Sequence, residues 1–208
     1  MYIEGPIHHF LDKLSSKSPE PGGGSAAALA GAEGAALVGM VCNLTLGKDK
    51  YAGVQAEISA LFEKAEAARA ELMRLLQEDT EAFSEAASAY KLPRGTDEQR
   101  AARAKAIQSG LRKATEVPFA IGERSLEVAR LSLTAAETGN KGAVSDAGVA
   151  ALFAEAAVQA AALNVRINLV SITDAAYVSE KWKAMQGMMK EVETLREKVL
   201  TITYKKIG

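Results

Sequence analysis

Hydrophobic residues in this chain recur with the 3.6-residue period of an α-helix along almost the whole sequence. The alternation of β-branched and aromatic residues that is typical of strands lasts only a few positions, with Leu200 to Tyr204 as the longest instance. Hydrophobic residues make up 48% of the 208 residues, which is enough to build one sizeable core. We therefore predict an all-α fold, a single up-and-down helical bundle of six or seven helices in one domain over residues 1–208.

Capping residues, glycines and prolines predict where these helices begin and end. The predicted segments are Ile7 to Ser15; a helix capped by Ser25 that ends near Thr45; Val54 to Lys91; a helix opened by a capping box at Thr96 to Gln99, broken or kinked at Pro118 and ending at Thr138; a helix capped by Ser145 that ends near Ser171; and Ala175 to Leu200.

Charge and composition argue against several classes of function. The net charge of -1 arises from 25 basic and 26 acidic residues in fine alternation, so neither a nucleic-acid groove nor a membrane-surface patch is indicated. The stretch Ala26 to Leu46 is long enough to span a bilayer, but it is mostly alanine and glycine and contains Glu33 and Asn43, which favours a buried helix. The single cysteine, Cys42, and an N-terminus without signal-peptide features favour the cytoplasm.

A Pro/Gly segment, SPEPGGGSAAA, leads directly into the second predicted helix. The N–H groups of Gly22 to Ser25 would lie at the positive end of that helix, where an anion or a polarised carbonyl can bind. The segment lacks the lysine of a P-loop and the strand of a Rossmann motif, and only His8 and His9 could assist a nucleophilic serine. From the residues alone, a flexible turn before a helix explains the pattern as well as ligand binding does.

Asp79 is predicted to lie in the centre of an apolar helical stripe. The stripe contains Leu72, Leu75, Leu76, Phe83, Ala86, Ala87 and Tyr90. A carboxylate in such surroundings needs a partner or performs a function. Two interpretations remain open: a buried pair with a lysine or backbone donor of a neighbouring helix, or acid–base chemistry.

Further polar residues occur in otherwise apolar helices. Asp146 falls in a first helical turn, where negative charge is favourable in any case. Asn164 lies 18 residues further on, roughly 27 Å along a helix, so these two cannot share a site within one helix. Asn43, Asn164 and Asn168 are more simply explained as buried amides that hydrogen-bond between helices. No histidine or cysteine spacing indicates a metal site.

Taken together, these segments resemble one protein family. Lys17 to Ala32 is similar to the N-terminal signature of the cyclodeaminase domain of formiminotransferase-cyclodeaminases, a family that includes free-standing bacterial methenyltetrahydrofolate cyclohydrolases. The supporting matches are Asn43 to Thr45, Asp79 to Phe83, Ala89 to Pro93, Ser145–Asp146 and the pair Asn164 and Asn168. The resemblance covers nearly the whole chain.

This resemblance implies an all-helical homodimer that acts on a tetrahydrofolate derivative as substrate, without a cofactor and without a metal. Asp79 and Asp146 become the candidate catalytic residues, one as acid–base and the other as an anchor for the pterin. The candidate substrate-binding residues are Pro21, Gly22, Gly23, Gly24, Ser25, Asn43, Asn140 and Asn168, with Lys48, Lys50 or Arg94 for the glutamate tail.

The expected reaction is hydrolysis of 5,10-methenyltetrahydrofolate to 10-formyltetrahydrofolate. The alternatives are a formimidoyltetrahydrofolate cyclodeaminase, which releases ammonia, and a folate-binding helical protein without catalysis.

Overall fold

The computed structural model describes residues 4–208, and within that range the secondary structure is helical with no strand. The α-helices are α1 (Ile7–Leu14), α2 (Gly23–Asn43), α3 (Gln55–Ala89), α4 (Asp97–Thr138), α5 (Val144–Leu169) and α6 (Ala175–Ile207). Short 3₁₀ helices at Asp49–Val54 and Lys141–Ala143 precede α3 and α5. The predicted all-α bundle is confirmed.

Helices α2 and α5 pack closely against each other in opposite directions. The first residue of α2, Gly23, lies against Asn164 near the end of α5. Gly34 faces Ala150 in the first half of α5, where an added Cβ would stand only 3.0 Å from the Ala150 carbonyl oxygen. The small residues of α2 therefore allow its backbone to approach α5, and α3 and α4 also contact it.

Two helical stretches, Gly23–Asn43 and Lys141–Leu169, are long and apolar enough to cross a membrane. In the bundle, 61% of the most apolar part of the first stretch is buried, as expected for a helix at the centre of a helical core. For the second stretch this share is 50%, and its exposed positions include the apolar residues Val149, Leu152, Leu163 and Ile167.

Two predicted N-caps are wrong. The N-cap of α2 is Gly22, and Ser25 lies inside the first turn, where its hydroxyl bonds to another helix. The N-cap of α5 is Ala143 rather than Ser145, because a 3₁₀ turn capped by the Asn140 side chain runs directly into the helix. The capping box at Thr96 and Gln99 is present as predicted.

Two predicted helix limits also differ from the structure. Helix α4 runs without a break through Pro118, which is buried with Val117 and Phe119 on either side of it. Burial of these three residues in the core offsets the backbone hydrogen bond that a proline cannot donate. Helix α6 continues to Ile207, because Val199 and Thr203 extend its buried face at helical spacing through the segment that had strand-like alternation.

Candidate functional site

A cavity of about 500 Å³ opens where the first turn of α2 meets the last third of α3, the centre of α4 and the last turns of α5. Its polar lining consists of Glu20, Gly22, Gly23, Gly24, Asp79, Thr80, Asn164 and Asn168. Its apolar lining consists of Pro19, Ala82, Phe83, Ala86, Ala87, Tyr90, Leu111, Ala114, Pro118 and Ile167. The volume and the largely apolar wall with few convergent polar groups are typical of a small-molecule site.

Asp79 projects from α3 toward the start of α2. Its Oδ2 accepts a hydrogen bond of 2.8 Å from the Ser25 hydroxyl, and its carboxylate also accepts from the Ser25 backbone N–H. The N-cap residue of α2, Gly22, has no side chain to bond these groups. The Asp79 carboxylate therefore performs the capping role from a neighbouring helix, at the positive end of α2.

Burial raises the pKa of Asp79 above the ordinary value of an aspartate, and the two hydrogen bonds from Ser25 oppose that rise without cancelling it. No lysine or arginine between residues 4 and 208 contributes a stabilising charge to this carboxylate. Of the first open interpretation, the lysine partner is therefore absent, whereas the backbone donor of a neighbouring helix is present as the Ser25 N–H. A desolvated carboxyl group beside a cavity is suited to exchanging a proton with a ligand.

Gly24 is the residue that makes room for Asp79. A Cβ at this position would lie 2.2 Å from Asp79 Oδ1, and no ordinary contact is that short. At Gly23 the nearest atom would be Asn164 Nδ2 at 3.3 Å, which a small shift can relieve. The close approach between α2 and the carboxylate thus depends on one glycine of the three.

Asn164 and Asn168 lie on the face of α5 that borders the cavity. Asn168 Nδ2 donates to the Ala114 carbonyl of α4 at 2.7 Å, which confirms the predicted interhelical bond. Asn164 Nδ2 donates to Ala160 within its own helix at 2.9 Å, so that prediction is wrong. Neither amide oxygen receives a hydrogen bond within the described part of the chain, and both remain available as acceptors.

The remaining predicted loop residues lie at or just before the start of α2. Gly22, Gly23 and Gly24 line the cavity, whereas Ser25 is buried behind it with its hydroxyl on Asp79. Pro21 is buried directly before the glycines and does not line the cavity.

Asn43, Asn140 and Asp146 are not brought to this cavity. They lie near the other end of α2 and the start of α5, about 30 Å from the glycines at 1.5 Å per residue. Asn43 is exposed, so its predicted burial is wrong. Lys48 also belongs to that distant end.

Asn140 has a structural role at that distant end. Its side-chain nitrogen donates to the Leu44 carbonyl at 2.7 Å, and its backbone N–H donates to Thr45 Oγ1 at 2.8 Å. Its side-chain oxygen accepts from the Tyr51 hydroxyl at 3.3 Å and from the Gly142 N–H at 3.0 Å. These bonds join the end of α2 to the turn before α5.

Most of the apolar lining, and also Glu20, was not predicted as part of a site. Phe83 and Tyr90 were expected in the buried stripe of α3, but they are 46% and 48% exposed and form part of the cavity wall. Glu20 had no periodicity signal, and only its place next to the glycine segment could have indicated it. In residues 4–208 no group of three or more His, Cys, Asp or Glu side chains is arranged to hold a metal ion.

Comparison with known proteins adds independent information. The family model described as formiminotransferase-cyclodeaminase matches residues 6–187. A methenyltetrahydrofolate cyclohydrolase from Methylorubrum extorquens is 46% identical over 202 residues, which cover 97% of each chain. A formimidoyltransferase-cyclodeaminase from Sus scrofa is 36% identical over 95% of this chain, which corresponds to 37% of the longer porcine protein.

The fold also has a solved counterpart. The crystal structure of a formiminotetrahydrofolate cyclodeaminase from Thermotoga maritima superimposes with a TM-score of 0.90 and covers 100% of both chains at 28% identity. The all-helical arrangement described above is therefore shared with a solved structure over its full length.

Proposed function

We propose that this chain, which belongs to the formiminotransferase-cyclodeaminase family, is an enzyme of folate one-carbon metabolism. In the proposed reaction it hydrolyses 5,10-methenyltetrahydrofolate to 10-formyltetrahydrofolate. The observation that carries this proposal is the desolvated Asp79 carboxylate, held by Ser25 at the start of α2 and facing a cavity of about 500 Å³. The 46% identity with a cyclohydrolase over 97% of both chains supports the choice of reaction.

The proposed first step is addition of water to the carbon that bridges N5 and N10 of the substrate. The water oxygen forms a bond to this cationic carbon, and one water proton passes to the Asp79 carboxylate. A general base with a raised pKa accepts that proton more readily than an ordinary aspartate. The product of the step is a neutral tetrahedral carbon that carries a hydroxyl group and both ring nitrogens.

The proposed second step opens the ring. The bond from this carbon to N5 breaks, its electron pair stays on N5, and the proton held by Asp79 is delivered to that nitrogen. The hydroxyl group loses its proton to solvent and becomes the formyl oxygen on N10. One water is consumed and one proton released, and Asp79 returns to its starting charge.

The rest of the cavity supports binding of a flat, N–H-rich ligand. Phe83 and Tyr90 offer exposed aromatic surface on which a ring can stack. The unpaired amide oxygens of Asn164 and Asn168 can accept hydrogen bonds from the amino and ring N–H groups of a pterin. Asp146, Asn43 and Asn140 stay predictions, because they lie away from this cavity.

One assay tests the reaction. The purified protein is incubated separately with 5,10-methenyl- and 5-formimidoyltetrahydrofolate while the methenyl absorbance is followed. We expect the methenyl signal to fall faster with protein than in buffer, because the enzyme hydrolyses the bridge. A rise from the formimidoyl substrate, with no faster loss of the methenyl compound, would instead indicate a cyclodeaminase, the activity named for the Thermotoga maritima protein that has the same fold. No change in either incubation would refute both reactions and leave a folate-binding protein.

We also propose a homodimer formed through the uncovered face of α5. Leu163, Ile167 and Val170 are 74%, 69% and 71% exposed at helical spacing, and Val149 and Leu152 are exposed nearer the start of the helix. Exposed apolar residues grouped along a helix in this way can mark an interaction surface. If two α5 helices pair in opposite directions, the first turn of one, with Asp146, approaches the last turns of the other and thus the cavity.

Replacing Leu163 with glutamate is expected to convert the dimer to monomers, because an unpaired charge would be buried within the contact. Light scattering after size-exclusion chromatography should give a mass of twice 21.9 kDa for the unmodified chain and 21.9 kDa for the variant. Ile7→Glu, at a 58% exposed position on α1, is the matched control and should remain dimeric. A monomeric unmodified chain would contradict the proposal.

We further propose that the enzyme is cytoplasmic. The single cysteine, Cys42, is buried and unpaired, as is usual in a reducing compartment.

A further inference from the structure

Glu20 precedes the glycine segment and is held over the cavity by a contact with α3. Its Oε2 accepts a hydrogen bond of 2.7 Å from the hydroxyl of Ser84, five residues after Asp79 on the same helix. The other carboxylate oxygen, Oε1, receives no hydrogen bond from residues 4–208. The side chain is partly buried and lines the cavity, so a fixed carboxylate oxygen remains free for a ligand.

The charge of the cavity is one-sided. Glu20 and Asp79 are the charged side chains among its lining residues, and none of the lysines, arginines or histidines in the described part of the chain lines it. Neither carboxylate forms an ion pair with a basic side chain there. Two carboxylates next to an apolar wall attract a cation, and they disfavour an anionic or neutral group that would have to replace their hydration.

We propose that Glu20 is a specificity-determining residue that binds the cationic N5–carbon–N10 bridge of the substrate and discriminates against folates without this charge. The proposal rests on the proposed function, because the cationic bridge belongs to the methenyl substrate. It assigns to Glu20 the role of second carboxylate in the cavity, where a single chain does not place Asp146.

Glu20 and Asp79 have different tasks in this arrangement. Asp79 is bonded to Ser25 and exchanges a proton with the substrate, whereas Glu20 is held through Ser84 and stays a fixed charge. Its attraction acts equally on the bound substrate and on the early, still cationic transition state of water addition, and it disappears only once water has added and the carbon is neutral. Glu20 therefore strengthens substrate binding without accelerating the chemical step, and the neutral product leaves more easily.

The test is the isosteric variant Glu20→Gln, assayed for turnover and for inhibition by 5-formyltetrahydrofolate, whose N5 and N10 carry no positive charge. We expect KM for the methenyl substrate to rise about tenfold, since a charge pair at a few ångströms is removed from a partly screened site. We expect kcat to change by less than about twofold and the inhibition constant of the neutral folate to stay the same or to fall, since the carboxylate disfavours an uncharged ligand. An unchanged KM would overturn the role of Glu20. So would an equal rise in KM for the methenyl substrate and in the inhibition constant of the neutral folate.

Two further variants separate charge from loop position. Ser84→Ala removes the hydrogen bond but keeps the carboxylate, and it should raise KM much less than Glu20→Gln does. If both variants have equal effects, Glu20 only holds the loop and the proposal is wrong. Glu81→Gln removes an exposed carboxylate of α3 outside the cavity and controls for net charge.

The same measurements distinguish this inference from the proposed function. If the unmodified protein neither converts nor binds the methenyl compound, the proposed function fails and the inference fails with it. If the unmodified protein converts the compound and Glu20→Gln behaves identically, only the role of Glu20 is refuted.

Discussion

Replacing Asp79 with asparagine is expected to lower turnover of methenyltetrahydrofolate by a factor of about 10² to 10⁴, the range that a positioned acid–base group contributes. The amide has the shape of the carboxylate and can still accept a hydrogen bond from the Ser25 hydroxyl, so the fold should be preserved. Steady-state kinetics by methenyl absorbance measure the loss, and circular dichroism at 222 nm checks the helices. Near-normal turnover of a folded Asp79→Asn variant would remove Asp79 from the mechanism.

The pH profile of the unmodified enzyme provides a second check on Asp79. Acting as a base in the free enzyme, its carboxyl group must be ionised, so kcat/KM should fall as pH drops through its pKa. Because burial raises that pKa, the fall should begin above the ordinary range of an aspartate. A profile without an acidic limb in the measurable range would contradict this role.

The stability of the folded state should depend on pH in the opposite sense to the activity, through the same Asp79 carboxyl group. The pKa of Asp79 is higher in the folded state than in the unfolded chain, so the folded state binds the proton more tightly. The resulting contribution to stability is fully present below the pKa that Asp79 has in the unfolded chain. It is lost as pH rises through the pKa that Asp79 has in the folded state. Thermal melts of Asp79→Asn should lack this decline, and the variant should be at least as stable as the unmodified chain at neutral pH.

The second large effect is expected at Gly24. Gly24→Ala should lower turnover at least a hundredfold, because the new methyl carbon would stand 2.2 Å from Asp79 Oδ1 and must push the carboxylate away from Ser25. Displacing an aligned catalytic group by even about an ångström can lower the reaction rate by a factor of this size. The measurement is kcat/KM for the methenyl substrate.

Matched alanine variants separate this effect from a general loss of helix flexibility. Gly23→Ala meets Asn164 Nδ2 at 3.3 Å and should lower activity far less, chiefly through substrate binding. Gly187→Ala in α6 meets no atom within 4 Å and should behave as the unmodified enzyme. Equal losses at Gly23 and Gly24 would show that the contact with Asp79 is not what matters.

The two carboxylates give this cavity a negative charge that complements the cationic bridge of the methenyl substrate. A methenyl bridge is cationic before water attacks and neutral afterwards. A site that binds the substrate by negative charge therefore binds the product less tightly. Asp79 takes part in the proton transfers, and Glu20 supplies a fixed charge. The predicted kinetic signatures differ accordingly, with kcat lost in one variant and KM raised in the other.

The helical fold was predictable because periodicity is a local property. Apolar residues at 3.6-residue spacing determine which face of a segment is buried, and the capping box at Thr96 shows one start directly. The same spacing identified Asp79 as a carboxylate turned toward apolar neighbours. The motif from Lys17 to Ala32 identified the family, which the comparisons confirm.

The local pattern did not determine which groups meet in space. Periodicity placed Phe83 in a buried stripe of α3, yet Phe83 faces a cavity. The reason is that the stripe extends beyond the part of α3 that α2 covers. Ser25 matches the pattern of an N-cap, but its hydroxyl bonds to a carboxylate 54 residues away.

The sequence by itself thus determined the helices, their apolar faces, the family and one inward carboxylate, since each of these depends on residues a few positions apart. Only the tertiary structure decided that α2 and α5 run in opposite directions. That packing brings the glycines and Asn168 to one cavity and leaves Asp146 about 30 Å away along the bundle. The choice follows from how closely small residues let two backbones approach, which no local pattern encodes.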